Sequence, residues 1–149
     1  MSVSQKCQYA LRSVFELAKH HGEGSMKIAD IATAQAIPTR FLEVILNQLK
    51  QGGFVESRRG SAGGYVLTRS PAALTVGEII RFIEGPLSPV QCVTGNTGDR
   101  CPLRGDCAFL SMWERVEGAL SGVYDSTTFE NLVEEERQKR KEYTLDYSI

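Results

Sequence analysis

The stretch IPTRFLEVILNQLKQGGFVESRRGSAGGYVLTR, residues 37–69, joins a helix pattern to a hairpin pattern. Pro38 suits the first turn of a helix, and Gly52 and Gly53 end it. Between them one apolar face is predicted, made of Phe41, Leu42, Ile45, Leu46 and Leu49. Two runs rich in Val, Phe and Tyr follow, FVESRR and GGYVLTR, and the Gly-rich tip between them predicts a β-hairpin.

Helix patterns also flank this stretch. Apolar residues recur at three- and four-residue steps over 8–20, and residues 28–32 predict a short helix of about two turns. A short helix followed by a longer one with a polar outer face is typical of a helix-turn-helix, and the hairpin after it makes a winged helix. Residues 75–85 predict one more helix, which opens with a capping box. We therefore expect residues 1–85 to form a winged helix-turn-helix domain.

The second half begins with residues 86–107, which have no hydrophobic period. Residues 108–133 then carry a narrow, heptad-like seam, made of Phe109, Trp113, Val116, Leu120 and Val123. Such a seam favours packing against a second helix of the same kind, so it predicts a long C-terminal dimerisation helix. The tail, residues 134–149, is mostly charged and predicts a frayed helix that continues into disorder. The fold class is mainly α with a small β-hairpin wing.

Composition narrows the function classes. Of the 149 residues, 42% are hydrophobic and 23% are charged, which is typical of a soluble globular protein. No apolar run approaches the roughly 18 residues of a membrane span, and the N-terminus lacks a secretory pattern, so we expect a cytoplasmic protein without a membrane partner. No Ser-His-Asp set, phosphate-binding loop or carboxylate pair stands out, and the sequence predicts no enzyme.

Charge is distributed unevenly between the two halves. Residues 1–70 carry nine Lys or Arg against five Asp or Glu, a net charge of +4. Residues 71–149 carry eight against thirteen, a net charge of −5. An anionic partner is therefore expected to meet the first half.

The longer helix of the helix-turn-helix offers candidate base contacts. Its N-terminal residues, Thr39 and Arg40, would face base edges in the major groove, with Glu43 and Asn47 one and two turns on. Arg pairs with guanine and Glu accepts from the cytosine amino group. Glu43 has an alternative role as a surface carboxylate near Lys50 or Arg40.

The hairpin adds candidate contacts at its tip. Arg58 and Arg59 stand beside Gly60, and arginines at such a tip enter a narrow minor groove or reach phosphates. The alternative is a protein-binding module in which these arginines form a solvated turn. Helix, hairpin and basic balance together favour double-stranded DNA.

Three cysteines interrupt the irregular segment. Eight residues separate Cys92 from Cys101 and five separate Cys101 from Cys107, and neither gap is the short C-x-x-C of structural zinc. Wide gaps suit an iron–sulfur cluster, whose negative charge Arg100 and Arg104 would offset. A dithiol switch and a zinc site completed by Asp or His remain open alternatives.

The order of these segments, with RRGSAGGY as its most specific piece, resembles the Rrf2 family of bacterial winged-helix regulators over residues 4–133. The resemblance implies a homodimer of two winged heads on a helix pair, a palindromic DNA operator and, in three-cysteine members, a 2Fe-2S or 4Fe-4S cluster. It carries DNA contacts onto Thr39, Arg40, Glu43, Ser57 and Arg59, and cluster ligands onto Cys92, Cys101 and Cys107.

The resemblance breaks down at two points. The gap between Cys92 and Cys101 is wider than the family's usual spacing, so the type of cluster is not carried over, and the fourth cluster ligand is not at its usual place. Some members use a histidine three residues after the last cysteine, where this chain has Leu110. Others take the ligand from the N-terminal helix of the partner subunit, at or beside Cys7 and Gln8. Cys7 is therefore a candidate ligand, and its alternative role is that of a small buried residue. Asp106, Asp99 and a bound water or small thiol are further candidates.

Together these patterns predict a sequence-specific DNA-binding transcription regulator. Its operator affinity would be set by an iron–sulfur cluster that senses iron–sulfur, nitric oxide or redox status. Loss of the cluster would reorder residues 86–107, shift the long helix and change the spacing of the two recognition helices. The alternatives are a cluster-free thiol/disulfide regulator and an iron–sulfur electron carrier or assembly protein.

Overall fold

The computed structural model describes residues 2–94, 101–103 and 105–148. Within that part of the chain lie six α-helices, a two-stranded hairpin and a short 3-10 turn at Pro71–Ala73. The elements in chain order are α1 (Gln5–Lys19), α2 (Ile28–Gln35), α3 (Thr39–Gln51), β1 (Val55–Arg58), β2 (Gly64–Leu67), α4 (Val76–Glu84), α5 (Leu110–Ser126) and α6 (Phe129–Tyr147). This arrangement confirms the predicted winged-helix fold class.

The core lies between α1, α3 and α4, and α6 closes it from one side. Its largest fully buried side chains are Phe129, Ile31, Leu42, Leu46, Leu49, Leu74, Ile79 and Ile80. Each such side chain contributes roughly 1.5–3 kcal/mol through the apolar surface it removes from water. Four residues of the predicted apolar face of α3 are buried, so this face fixes which side of α3 points outward.

The turn between α2 and α3 is set by three consecutive residues. Ala36 ends α2 in the left-handed region, with φ +51° and ψ +48°. Ile37 is buried and its N–H donates to the carbonyl of Ala32 at 3.0 Å. Pro38 then provides the N-cap of α3, which directs that helix across the front of the domain.

The wing is an antiparallel hairpin in which Val55 pairs with Leu67 and Arg58 pairs with Gly64. A bridge between Met26 and Tyr65 ties β2 to the segment before α2, one residue from the tip end of the strand, with N···O distances of 3.0 and 2.8 Å. Gly64 lies at φ +153°, and a Cβ there would collide with the Met26 carbonyl. The wing is therefore held to the rest of the domain near its tip as well as at its base.

Helices α4 and α5 are joined by one polar contact. The guanidinium of Arg81 donates to both carboxylate oxygens of Asp125 at 2.5 and 2.8 Å, and also to the Ser121 hydroxyl at 3.3 Å. These groups lie near the solvent, and α5 has no buried residue. The helix therefore presents most of its surface outward.

The C-terminal helix differs from its prediction. Residues 134–149 were expected to fray into disorder, whereas α6 is continuous from Phe129 to Tyr147. A capping box between Thr128 and Asn131 starts it, and buried Phe129 anchors it in the core. Ion pairs one turn apart then support its charged part, Lys139 with Glu135 at 2.8 Å and Arg140 with Glu136 at 2.8 Å. Across the described ranges, no helix is both long enough and apolar enough to cross a membrane.

Candidate nucleic-acid interface and cysteine segment

The predicted base-contacting residues lie on the outer face of α3. Thr39, Arg40, Glu43 and Asn47 are all exposed, because the opposite face of the helix is held in the core. Thr39 opens the helix, where free backbone N–H groups favour phosphate. The side chains therefore stand where a groove of DNA would meet the helix.

Phe41 departs from its predicted place in the core, since 46% of its surface is exposed. Its ring lies 6.4 Å from the ring of Tyr9 on α1, and the guanidinium of Arg40 lies over the Phe41 ring, 4.8 Å from its centroid. A cation held near an aromatic ring gains about 0.5–1 kcal/mol at exposed sites. Phe41 thus supports Arg40 from the edge of the apolar face.

The wing presents the second group of predicted contacts. Ser57, Arg58, Arg59 and Gly60 are exposed, and Gly60 adopts φ +101°, a conformation that glycine tolerates best. Arg58 lies 3.6 Å from Glu56, with both side chains more than half exposed. Such a surface pair is worth roughly 0–1 kcal/mol, so it does not prevent Arg58 from engaging another anion.

Lys50 connects the helix to the wing. Its Nζ donates to the hydroxyl of Ser57 at 2.8 Å. Ser57 is one of the predicted DNA contacts, whereas Lys50 was predicted only as a neighbour of Glu43. Periodicity within α3 carries no information on a residue of the next element, so this link was not predictable.

The three cysteines of the irregular segment all lie within the described residues. Cys92, Cys101 and Cys107 are free and half-buried. Among the residues that the structure describes, no group of three or more His, Cys, Asp or Glu side chains is gathered to hold a metal ion. Asp99, Arg100 and Arg104 lie outside the described residues.

Cys7 lies in the core of the domain. It is fully buried on α1, and its backbone N–H donates to the Ser4 hydroxyl at 3.1 Å. Burial raises the pKa of its thiol to about 11, and the charge and hydrogen bond of Glu84 act in the same direction. The surroundings therefore favour the neutral thiol, as expected for a small buried residue.

The chemistry of these side chains shows whether they are suitable ligands for an iron–sulfur cluster. Clusters are held by thiolates, and three thiols in one irregular segment are a suitable donor set. Cys92, Cys101 and Cys107 therefore fit the group. The surroundings of Cys7 in the described chain favour its neutral thiol over a thiolate. Its ligand role stays a prediction.

Comparison with known proteins gives consistent matches along the chain. The family model described as "Rrf2: Iron-dependent Transcriptional regulator" matches residues 3–135. The HTH-type transcriptional regulator CymR of Bacillus subtilis is 40% identical over 132 residues, which are 89% of this chain and 89% of that protein.

Two solved structures share the architecture. The structure of CymR, the global cysteine regulator of B. subtilis, aligns with a TM-score of 0.74 at 38% identity, covering 90% of this chain and 97% of that one. IscR of T. potens aligns with a TM-score of 0.70 at 34% identity, covering 91% of this chain and 88% of that one. A winged head with this helical extension, matched over nearly its whole length, makes the chain a member of the Rrf2 family of transcriptional regulators.

Proposed function

We propose that the protein is a homodimeric transcription regulator that binds a palindromic operator in double-stranded DNA. The observation that carries the proposal is the common exposure of the α3 outer face and the wing arginines, joined by the hydrogen bond from Lys50 to Ser57. In a winged helix these two elements meet the major groove and the adjoining backbone or minor groove. The net charge of +4 over residues 1–70 attracts the DNA.

Two features of α5 and its surroundings support the homodimer. The helix has no buried residue, and its seam exposes 63% of both Phe109 and Val123. Val123 also lines an apolar groove of about 580 Å³ between α1, α5 and α6, together with Leu11, Phe15 and Leu132. A second copy of the chain would cover both surfaces, as the heptad-like spacing requires.

Arg59→Ala tests the DNA contact. We expect at least about a five-fold loss of operator affinity, and a slope of log affinity against log salt that falls by about 1 per subunit. The operator is first selected from a random duplex library with the wild-type protein. Fluorescence anisotropy at several salt concentrations measures both quantities.

Arg137→Ala is the matched control, because it removes the same charge from exposed α6. It should leave both the affinity and the salt slope unchanged. Equal behaviour of the two variants would contradict the wing contact. Failure to select any duplex would contradict DNA binding altogether and favour an electron-carrier or assembly role.

For the sensing function we propose an iron–sulfur cluster held by Cys92, Cys101 and Cys107. The support comes from the three-thiol donor set and from the iron-dependent description of the family. When bound, the cluster supplies a redox-active centre that reacts with nitric oxide. The chain's own contribution is to hold the helices on either side of the cysteine segment, because the Arg81–Asp125 pair fixes the C-terminal end of α5 against α4.

A cluster-free thiol regulator is the second candidate. It is favoured by the similarity to a protein described as a global cysteine regulator, and by three half-buried thiols that oxidants can reach. In that case two of the three would form a disulfide, and the segment would change shape through that bond.

Anaerobic purification with an iron count and a visible spectrum distinguishes the candidates. The cluster predicts a coloured protein with at least two irons per chain in the wild type, and loss of iron in Cys92→Ala. Cys7→Ala should keep its iron, because Cys7 lies in the core. A colourless wild type whose operator binding falls on mild oxidation would favour the thiol regulator instead.

A further inference from the structure

Val44 is the one strongly exposed apolar residue at the centre of the outer face of α3. It exposes 62% of its surface and follows Arg40 by four positions. Asn47 lies three positions further on. Since a helix advances 100° per residue, residues at these steps stand one above another on one face. The core-facing residues, Leu42, Ile45, Leu46 and Leu49, lie on the opposite side.

Exposure alone assigns no role to Val44, because single apolar residues are common on protein surfaces. Its position is the second observation. Val44 stands between Arg40 and Asn47, two of the four exposed polar side chains that are candidate base contacts. A β-branched residue there is also a poorer helix former than Ala or Glu, and the described chain offers it no packing in return.

Phe41 does not share this role, although it is also partly exposed. Its ring contacts the Tyr9 ring and also lies under the Arg40 guanidinium. It therefore sits at the flank of the outer face, with its apolar surface in use. At the centre of the outer face of α3, Val44 is the residue that presents free methyl groups.

We propose that Val44 is a specificity-determining residue that reads a thymine through its 5-methyl group in the major groove. This inference rests on the proposed DNA-binding function. Thymine is the only base that presents a methyl group in that groove, and apolar side chains recognise it by contact. The flanking Arg40 and Asn47 reach the donors and acceptors of neighbouring bases. Each half-site would then carry a thymine between the base pairs that these two residues read.

Deoxyuridine substitution provides the test, since it removes the methyl group and leaves every Watson–Crick contact in place. The wild-type protein first selects its operator from a random duplex library. Each thymine of one half-site is then replaced in turn by deoxyuridine, and the affinity is measured by fluorescence anisotropy. We expect about a four-fold loss at one position, from the apolar contact of one methyl group. The other positions should change little.

The variant Val44→Ala should bind the unmodified operator about as weakly as the wild type binds the demethylated one, and it should no longer distinguish thymine from deoxyuridine. Arg59→Ala is the control: it binds more weakly overall but should keep the four-fold ratio, because it meets DNA through the wing. Thermal unfolding followed by circular dichroism checks that Val44→Ala remains folded, as expected for an exposed site.

The outcomes separate the two claims. If an operator is selected but no position responds to deoxyuridine, the reading of thymine by Val44 is overturned and DNA binding stands. The same holds if Val44→Ala keeps the full ratio. If no duplex is selected at all, DNA binding and this inference fall together.

Discussion

Ala36 holds a backbone conformation that costs free energy. An L-residue with a Cβ loses about 1–2 kcal/mol in the left-handed region, and Ala36 stands there with φ +51° because the helix-turn-helix requires it. Ala36→Gly should relieve this cost, against a smaller entropic loss from the freer unfolded chain. We expect the free energy of unfolding to rise by about 0.5–1 kcal/mol, measured by urea titration.

Ala34→Gly is the matched control two residues earlier in the same helix. Ala34 is exposed and helical, so glycine there should lower the free energy of unfolding by up to about 1 kcal/mol. Two variants with the same change and opposite signs would identify the backbone of Ala36 as the cause. Destabilisation by both would contradict it.

Glu16 is a buried carboxylate that links α1 to α2. Burial raises its pKa, but hydrogen bonds from Gln35 and Lys19, together with the charges of Lys19 and His20, outweigh burial and leave the pKa below its ordinary value. Gln35 Nε2 donates to it at 2.6 Å and Lys19 Nζ lies at 3.1 Å. A lowered pKa stabilises the fold above the unfolded-state pKa, near pH 4.3, and this stabilisation is lost as the pH falls through the folded value.

The free energy of unfolding should therefore fall as the pH drops from about 5 to 3, and less steeply in Glu16→Gln than in the wild type. Denaturant titrations at several pH values measure the slope. Gln35→Leu, which removes one donor, should give an intermediate slope. Identical slopes for all three proteins would show that the ionisation of Glu16 is not linked to folding.

At the scale of single residues, sequence periodicity predicted the exposure of Thr39, Arg40 and Glu43, because the apolar face of α3 determines where they point. It misplaced Phe41, which lies at the margin of that face. The side of the helix on which such a residue finds a partner depends on Tyr9 of α1, and no pattern within α3 contains that information. The link from Lys50 to Ser57 was missed for the same reason.

At the scale of elements, the exposed surface of α5 is the expected dimer interface. Val123→Glu places a charge in the seam and in the groove beside it, and burying an unpaired charge is costly, so a dimer formed through this surface should dissociate on the order of ten-fold more readily. Light scattering coupled to size exclusion measures the mass. Val44→Glu is the control, since that valine is 62% exposed on α3, compared with 63% for Val123. A dimer that survives in both variants would place the interface elsewhere.

Helix α6 explains why element boundaries were harder to predict than element types. The seam of α5 and the capping signal before Phe129 are both present in the sequence, yet the charged run after residue 134 has the composition of a disordered tail. Three features keep this run helical. Phe129 anchors it in the core, a capping box starts it, and ion pairs spaced by four residues support it. The composition of a segment does not record the spacing of its charges, and it is this spacing that allows the ion pairs to form.

At the scale of the whole molecule, charge and architecture agree. The basic half coincides with the winged head, and the acidic half contains the helices that extend from it. The fold class and the family followed from the order of segments. Assembly did not, because it depends on contacts with a second copy of the chain.

The Arg81–Asp125 pair also bears on how such a regulator diversifies. It joins the helix before the cysteine segment to the C-terminal end of the helix after it, whereas the 25 residues between α4 and α5 return to the N-terminus of that helix at Leu110. The free-energy cost of bringing together the two ends of a flexible connection grows only with the logarithm of its length, by about 0.6 kcal/mol for each doubling. Insertions, deletions and altered cysteine spacings are thus inexpensive here. We therefore expect the segment to tolerate changes in length while the C-terminal end of α5 stays held to the winged head by Arg81 and Asp125.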